Sequence, residues 1–259
     1  MSQSTLSIAT RLDGQITEII IDSPPANILT SSTLMQLAEA LIGASARPGC
    51  KLIVLSGRGK HFSYGASVEE HLPGVVEQML PRFHKTIETI LSCPVPTLAK
   101  VNGLCLGGGF EVALACTFLF AETGAQFAVP EIQLGVFPPA AVALLPTLVG
   151  TTIASRIVLT GERLSAQDLA QWGLMTHVSA PGQLDTDLSG FIEKSIVPKS
   201  ASSLRIAHRA LRAEILTAYR TRIPELEELY LRDLMSTSDA LEGLQAFVQK
   251  RAPRWSEAK

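Results

Sequence analysis

Short aliphatic and β-branched runs, each closed by small, polar or proline residues, recur through the first half of the chain. Thr17 to Ile21 ends in Asp-Ser-Pro-Pro and Lys51 to Leu55 in Ser-Gly-Arg-Gly, which is how buried strands break into loops. Pro96 to Val101 and Phe118 to Ala121 read as two more strands. Between the first pair, Leu34, Leu37, Ala38 and Leu41 recur at helical spacing. Ser31 or Ser32 can cap that helix and Arg47-Pro-Gly stops it.

The pattern changes from Pro139 onward. Ala140 to Val149, Ile153 to Leu159 and Ser165 to Trp172 predict short helices, the last opened by Ser165-Ala-Gln-Asp in the form of a capping box. Ser200 to Tyr219 and Glu225 to Lys250 carry Leu, Ile and Ala at three- and four-residue steps among Arg and Glu, so each must bury a face. No linker or repeat separates these blocks. The expected layout is an α/β core over residues 1–195 and a helical region over 196–259, packed on the core or on another subunit. Arg205, Arg209, Arg212, Arg220 and Arg222 read as a solvated helical face.

Composition narrows the function classes. A net charge of −2 with 18% charged residues lacks the basic stripe of a nucleic-acid binder. So few charges on a 259-residue chain that is 46% hydrophobic imply surface buried between subunits. Cys50, Cys93, Cys105 and Cys116 form no CxxC pair and read as packing thiols of a cytoplasmic protein. The start, Met-Ser-Gln-Ser-Thr-Leu, has neither the basic nor the apolar region of a secretory signal. Gly103 to Ala121 is the strongest membrane candidate. Its three consecutive glycines and Glu111 make it a buried strand-loop-helix instead.

Three loops carry candidate chemistry: His61 to Glu70, Cys105 to Glu111 (Cys-Leu-Gly-Gly-Gly-Phe-Glu) and Phe127 to Ile132. Glycines before a helix allow close approach to the backbone, and the helix aims free N–H groups at negative charge. Glu111 lies among Phe110, Val112 and Leu114. Burial there demands a raised pKa or a dedicated partner, which is how a general acid or base is made. Backbone amides from two loops can converge on a carbonyl oxygen becoming an enolate, while Glu111 and Glu131 move protons or position water. Ser63, Ser67, His61 and His71 give no Gly-x-Ser-x-Gly elbow for nucleophilic hydrolysis. His71 is read by default as a surface or packing residue, with the acyl pocket as the alternative.

At these loops the chain resembles the crotonase, or enoyl-CoA hydratase/isomerase, superfamily over essentially its whole length. Tyr64-Gly65-Ala66-Ser67-Val68 is similar to that family's Ala-Gly-Ala-Asp-Ile/Leu loop. Asn102-Gly103 through Gly107-Gly108-Gly109-Phe110-Glu111 resembles its Asn-Gly-x-x-x-Gly-Gly-Gly-x-Glu, and Pro130-Glu131-Ile132 through Leu134-Gly135 its Pro-Glu-x-x-x-Gly. The resemblance implies a spiral of ββα turns followed by helices that build a homotrimer or a hexamer of two trimers. It implies an acyl-CoA thioester substrate with no cofactor and no metal, CoA being part of the substrate, and no nucleic-acid or membrane partner. It assigns Ala66 and Gly108 to the oxyanion hole, Glu111 as the base on water and Glu131 as the acid toward the α-carbon. Ala26, Tyr64, Gly65, Ser67, Val68, Phe137, Pro139, Phe247 and Lys250 fall at substrate- or CoA-binding positions.

Departures from the family pattern reshape the site. Ser67 replaces a frequent Asp, and Pro25 and Glu69 replace frequent Lys, so CoA must be held partly by other groups. Phe137-Pro138-Pro139-Ala140-Ala141-Val142 stands where the family has a glycine-rich stretch, which stiffens the acyl pocket wall. Gly65 through Pro73 together with Pro130 through Ala141 look most like the cyclohexa-1,5-dienecarbonyl-CoA hydratases of anaerobic aromatic degradation. That implies water addition to a cyclic dienoyl-CoA. Alternatives are another enoyl-CoA hydratase, an isomerase or decarboxylase acting on a carrier-protein thioester, and a non-enzymatic scaffold binding RNA or a partner. The glutamate pair weighs against the last two.

Overall fold

The computed structural model describes residues 4–256. β1 (Leu6–Arg11) and β2 (Ile16–Ile21) pair antiparallel. α1 (Ser31–Ser45) leads to β3 (Leu52–Gly57), and α2 (Val76–Ser92) to β4 (Thr97–Val101). β5 (Leu104–Leu106), α3 (Gly108–Ala115), β6 (Phe118–Glu122) and β7 (Gln126–Ala128) follow. After α4 (Pro139–Thr160), β8 (Leu164–Ser165), α5 (Ala166–Gln171) and β9 (His177–Ser179), the chain is helical: α6 (Leu184–Phe191), α7 (Ala201–Glu228) and α8 (Ser238–Val248).

Two sheets result. The larger runs β1-β2-β3-β4-β6-β9 with every pair after the first parallel, and the smaller runs β5-β7-β8. The parallel strands are buried on both faces, which explains their continuous apolar runs. Alternation divides them: Ile53, Leu55, Ala99, Val101, Leu119 and Ala121 join the main core, while Leu52, Val54, Leu98 and Phe120 face a second cluster with Leu184, Leu188, Ile192 and Ile196. α6 and the π-helical turn Ile192–Ile196 cover that second face. The sequence pattern did not single out α6.

All four strands read from the sequence are present, within a residue or two. The first helix is capped by Thr30 instead of Ser31 or Ser32, its side chain accepting from Thr33 N–H at 3.2 Å. The capping box at Ser165 and Asp168 is formed in full. Residues 139–160 are two helices meeting at Gly150 (φ 77°), as the separate runs implied. This is also the one stretch among the described residues long and apolar enough to cross a membrane. Gly103 to Ala121 is instead a strand, a buried helix and a strand.

The tail divides elsewhere than expected. α7 continues through Pro224 to Glu228 and passes through a π-helical turn at Leu229–Asp233, and Thr237 caps α8. Its arginines are not simply a solvated face. Arg205 donates to the Ser45 carbonyl that ends α1 and to the Arg47 and Cys50 carbonyls beyond it, and Arg212 to the Ala115 carbonyl that ends α3. Cations at helix C-termini satisfy carbonyls that have no partner within the helix. Tyr219, Ile223, Leu226 and Tyr230 lie in the main core, so this region packs on the spiral within one chain. All four cysteines are buried thiols.

α8 holds the turn that carries Glu131. A Cβ on Gly243 would overlap the Leu134 carbonyl oxygen. Gly243→Ala should therefore push α8 off this turn and lower Tm by roughly 3–10 °C, the scale of an overpacked contact in a chain this size. A calorimetric melt checks it.

Candidate active site

The three loops meet where β3 and β5 end. Ser63 Oγ donates to the Asn27 carbonyl at 2.7 Å and accepts from Gly65 N–H at 3.0 Å. Leu29 N–H donates to Gly65 O at 2.9 Å, and Ser67 N–H to Leu29 O at 3.2 Å. This alternation leaves the Ala66 amide facing the other way. α3 begins at Gly108, whose amide is at a helix start and has no partner within the helix. Among the described residues neither amide donates to another protein group. A Cβ on Gly108 would fall 3.1 Å from Ala66 N and 2.9 Å from Phe83 Cε2, so glycine is what lets the two amides lie side by side.

Two carboxyl groups border this amide pair. Glu111, 4% exposed on wholly buried α3, accepts from Ala141 N–H at 2.8 Å. α4 starts after Pro138 without a side-chain cap of its own, and Glu111 serves that helix start instead. Glu131 lies in the short 3₁₀ turn Pro130–Leu134, half-buried, with Oε2 sealed from solvent and unpartnered. Gly107 (φ 49°) makes room: a Cβ there would sit 2.6 Å from Glu131 Oε1.

Burial pushes the Glu111 carboxyl up to about 7, against the opposing pull of the Ala141 and Ala140 amides. Glu131 is raised well above the ordinary carboxylate range, first by burial and then by the charge of Glu111. Two such groups resist ionising together. The pair therefore sets a carboxyl that ionises near neutrality, Glu111, beside one held well above the ordinary carboxylate range, Glu131.

A groove of about 670 Å³ leads to the site, lined by Tyr64, Gly65, Ala66, Ser67, Val68 and Phe247 among the expected residues. Behind it lies a chamber of about 20 Å³ bounded by Ala66, Gly108, Glu111, Glu131, Phe137 and Pro139, with His71, Met79, Leu80, Phe83 and Pro138. That is room for about one water. Ala66, His71 and Glu131 border both spaces. Two expected residues line neither the groove nor the chamber. Ala26 instead offers its carbonyl to Tyr64 N–H at 3.0 Å, and Lys250 is exposed past the end of α8 with φ 55°.

The structure adds residues that the sequence reading missed. Met79, Leu80 and Phe83 come from α2, whose apolar residues at 76, 79, 80, 83, 87 and 90 carry a readable helical period. Ser63 and Asn27 order the loop, and Arg163 is the one fully charged cation among the described residues lining the groove. His71 is not a surface residue: it borders both cavities. His61 accepts from Leu104 N–H at 3.0 Å and is structural. Cys105 and Cys116, their thiols raised by burial, pack around α3 and are unsuited to thiolate chemistry.

A spiral α/β fold in which paired amides and paired carboxyls meet at a groove defines an acyl-thioester enzyme of the hydratase class. The sequence model described as enoyl-CoA hydratase/isomerase matches residues 11–258, and the chain belongs to that family. It is 38% identical over 254 residues, 98% of each chain, to a cyclohexa-1,5-dienecarbonyl-CoA hydratase of Thauera aromatica. To a carnitinyl-CoA dehydratase of Salmonella typhi it is 32% identical, covering 94% and 95%. Among solved structures, an enoyl-CoA hydratase from Mycobacterium avium subsp. paratuberculosis K-10 superposes with a TM-score of 0.86 at 26% identity, covering 98% and 99%. The fold is the crotonase fold with a helical C-terminal region, and the protein is a hydro-lyase of enoyl-CoA hydratase type.

The raised Glu111 pKa bears on stability. Below about pH 4.5 its carboxyl is protonated in the folded and unfolded chain alike. Between 4.5 and about 7 only the unfolded chain loses the proton, so stability falls across that window and stays lower above it. Glu111→Gln keeps an acceptor for Ala141 and removes the ionisation. By urea unfolding it should match the wild type near pH 4 and exceed it at pH 8 by up to about 3 kcal/mol.

Proposed function

We propose that the enzyme adds water to a cyclic dienoyl-CoA, cyclohexa-1,5-diene-1-carbonyl-CoA, giving 6-hydroxycyclohex-1-ene-1-carbonyl-CoA. The observation that carries this reading is the buried Glu111–Glu131 pair beside two unpaired amides, in a chain 38% identical to a hydratase of that substrate. The thioester oxygen sits at the Ala66 and Gly108 amides. Ionised Glu111 takes a proton from water as the water oxygen bonds to the β-carbon, and the electron pair moves to the thioester oxygen as an enolate. Glu131, protonated, returns a proton to carbon. In a simple enoyl thioester that carbon is the α-carbon. In the cyclic diene the enolate extends over the second double bond, and protonation at its far end gives the 6-hydroxy product.

Glu111 and Glu131 are the only proton carriers this reading requires. It involves no metal or redox cofactor, and CoA enters as part of the substrate. Room for about one water in the chamber suits the water beside Glu111, and a ring enters as half-buried Phe137 yields. With Pro25 and Glu69 in place of lysines, we assign CoA phosphate contacts to Arg163 within the chain and to Lys250 reaching a neighbouring subunit of a homotrimer or hexamer. The exposed apolar residues Ile206 (61%) and Leu211 (80%) of α7 support an assembly that covers them.

Incubation with a panel of cyclic, branched and straight enoyl-CoA thioesters in heavy-oxygen water tests the reading. The cyclic diene should gain one labelled oxygen fastest, and products without label would refute hydration. Glu111→Gln and Glu131→Gln should each lower kcat by about 10²–10⁴-fold with folding intact. Near-wild-type turnover in both would contradict the mechanism.

A further inference from the structure

Hydration leaves one hydrogen unaccounted for. Water brings two O–H bonds to the chamber, and Glu111 removes one. The other stays on oxygen throughout and becomes the product hydroxyl. A protonated Glu131 keeps an accepting oxygen but must turn its O–H toward carbon, so an acceptor with no proton to deliver suits this second O–H better in a space where an unpaired polar group is costly.

His71 meets that requirement. Its Nδ1 lies 2.7 Å from the Ser67 carbonyl oxygen, which can only accept, so the hydrogen of the neutral ring is on Nδ1 and the lone pair on Nε2. Partial burial holds the ring neutral by lowering its pKa, against the opposing Ser67 contact and the Glu70 charge. Nε2 has no hydrogen-bond partner among the described residues and is not one of the sealed buried atoms, and the ring borders both cavity spaces. Neighbouring acids are otherwise engaged: Glu70 accepts from Ser31 N–H at 2.9 Å and Oγ at 2.6 Å, and Glu69 from Ser67 Oγ at 2.8 Å.

We propose that His71 is a specificity-determining contact whose Nε2 accepts the retained O–H of the attacking water and then of the product hydroxyl. This rests on the hydratase reading and deepens it. His71 transfers no proton. It holds the water oxygen with one lone pair toward the β-carbon and makes the site prefer a hydroxyacyl thioester over its deoxy counterpart.

Two substitutions separate this role from a packing role. The amide of His71→Asn reaches the Nδ1 position and keeps the Ser67 contact but presents nothing at Nε2. The amide of His71→Gln reaches the Nε2 position instead. Calorimetry should compare 6-hydroxycyclohex-1-ene-1-carbonyl-CoA with cyclohex-1-ene-1-carbonyl-CoA, and 3-hydroxybutyryl-CoA with butyryl-CoA. The wild type should favour the hydroxyl member of its preferred pair. His71→Asn should lose that preference and about tenfold in kcat with KM within about twofold, and His71→Gln should restore most of both. Unchanged preference and rate in His71→Asn would overturn the assignment. So would equal losses in both variants accompanied by a lower Tm, which is the mark of packing alone. Preference for the butyryl pair, abolished by His71→Asn, would refute the ring substrate and uphold His71. A wild type that hydrates none of the panel and shows no preference would overturn the hydratase reading and the His71 assignment that rests on it.

Discussion

The site depends on keeping two carboxyl groups out of water within reach of each other. Among the described residues neither Glu111 nor Glu131 has a cation to balance it, and the polar relief that Glu111 receives is from backbone amides. An ionised carboxylate in such a place is expensive, so the scaffold must supply the energy elsewhere. It does so with a parallel sheet buried on both faces and with α3, whose residues are buried along the whole helix.

Small backbone differences turn one constraint into two roles. Glu111 receives the amides at the start of α4, where Pro138 and Pro139 leave no cap of their own, and it remains the easier of the two to ionise. Glu131 sits in a single 3₁₀ turn with one oxygen unpartnered and feels the charge of Glu111, so it keeps its proton longer. Pairs whose surroundings push their pKa values apart divide into base and acid. The stiff Phe137 to Val142 segment is thus both chamber wall and half of the electrostatic arrangement.

The site was legible in the sequence because its requirements are local. Three glycines before Glu111, Ala66 in a strand-ending loop and Pro130-Glu131 each name a backbone geometry. The β-branched runs marked the sheet for the same reason. The misses are partly local and partly tertiary. α2 was overlooked although its apolar period is clear, and α6 is short and weakly patterned. Arg205 and Arg212 looked solvated until the ends of α1 and α3 were placed against them. Thr30, and not the expected Ser31 or Ser32, caps α1 because its side chain meets the amide three residues on. His71 was read by default as surface or packing for a similar reason: the Ser67 carbonyl that fixes its ring becomes visible only in the folded loop.

The buried pair can be observed directly by carbon-13 NMR of the glutamate side-chain carboxyls, titrated in the wild type and in Glu111→Gln. Glu111 should titrate near pH 7 and Glu131 well above the ordinary carboxylate range, and in the variant Glu131 should move down while burial still holds it above that range. Titration of both groups near the ordinary 4.5, unaffected by the substitution, would contradict the buried, mutually coupled pair that divides into base and acid.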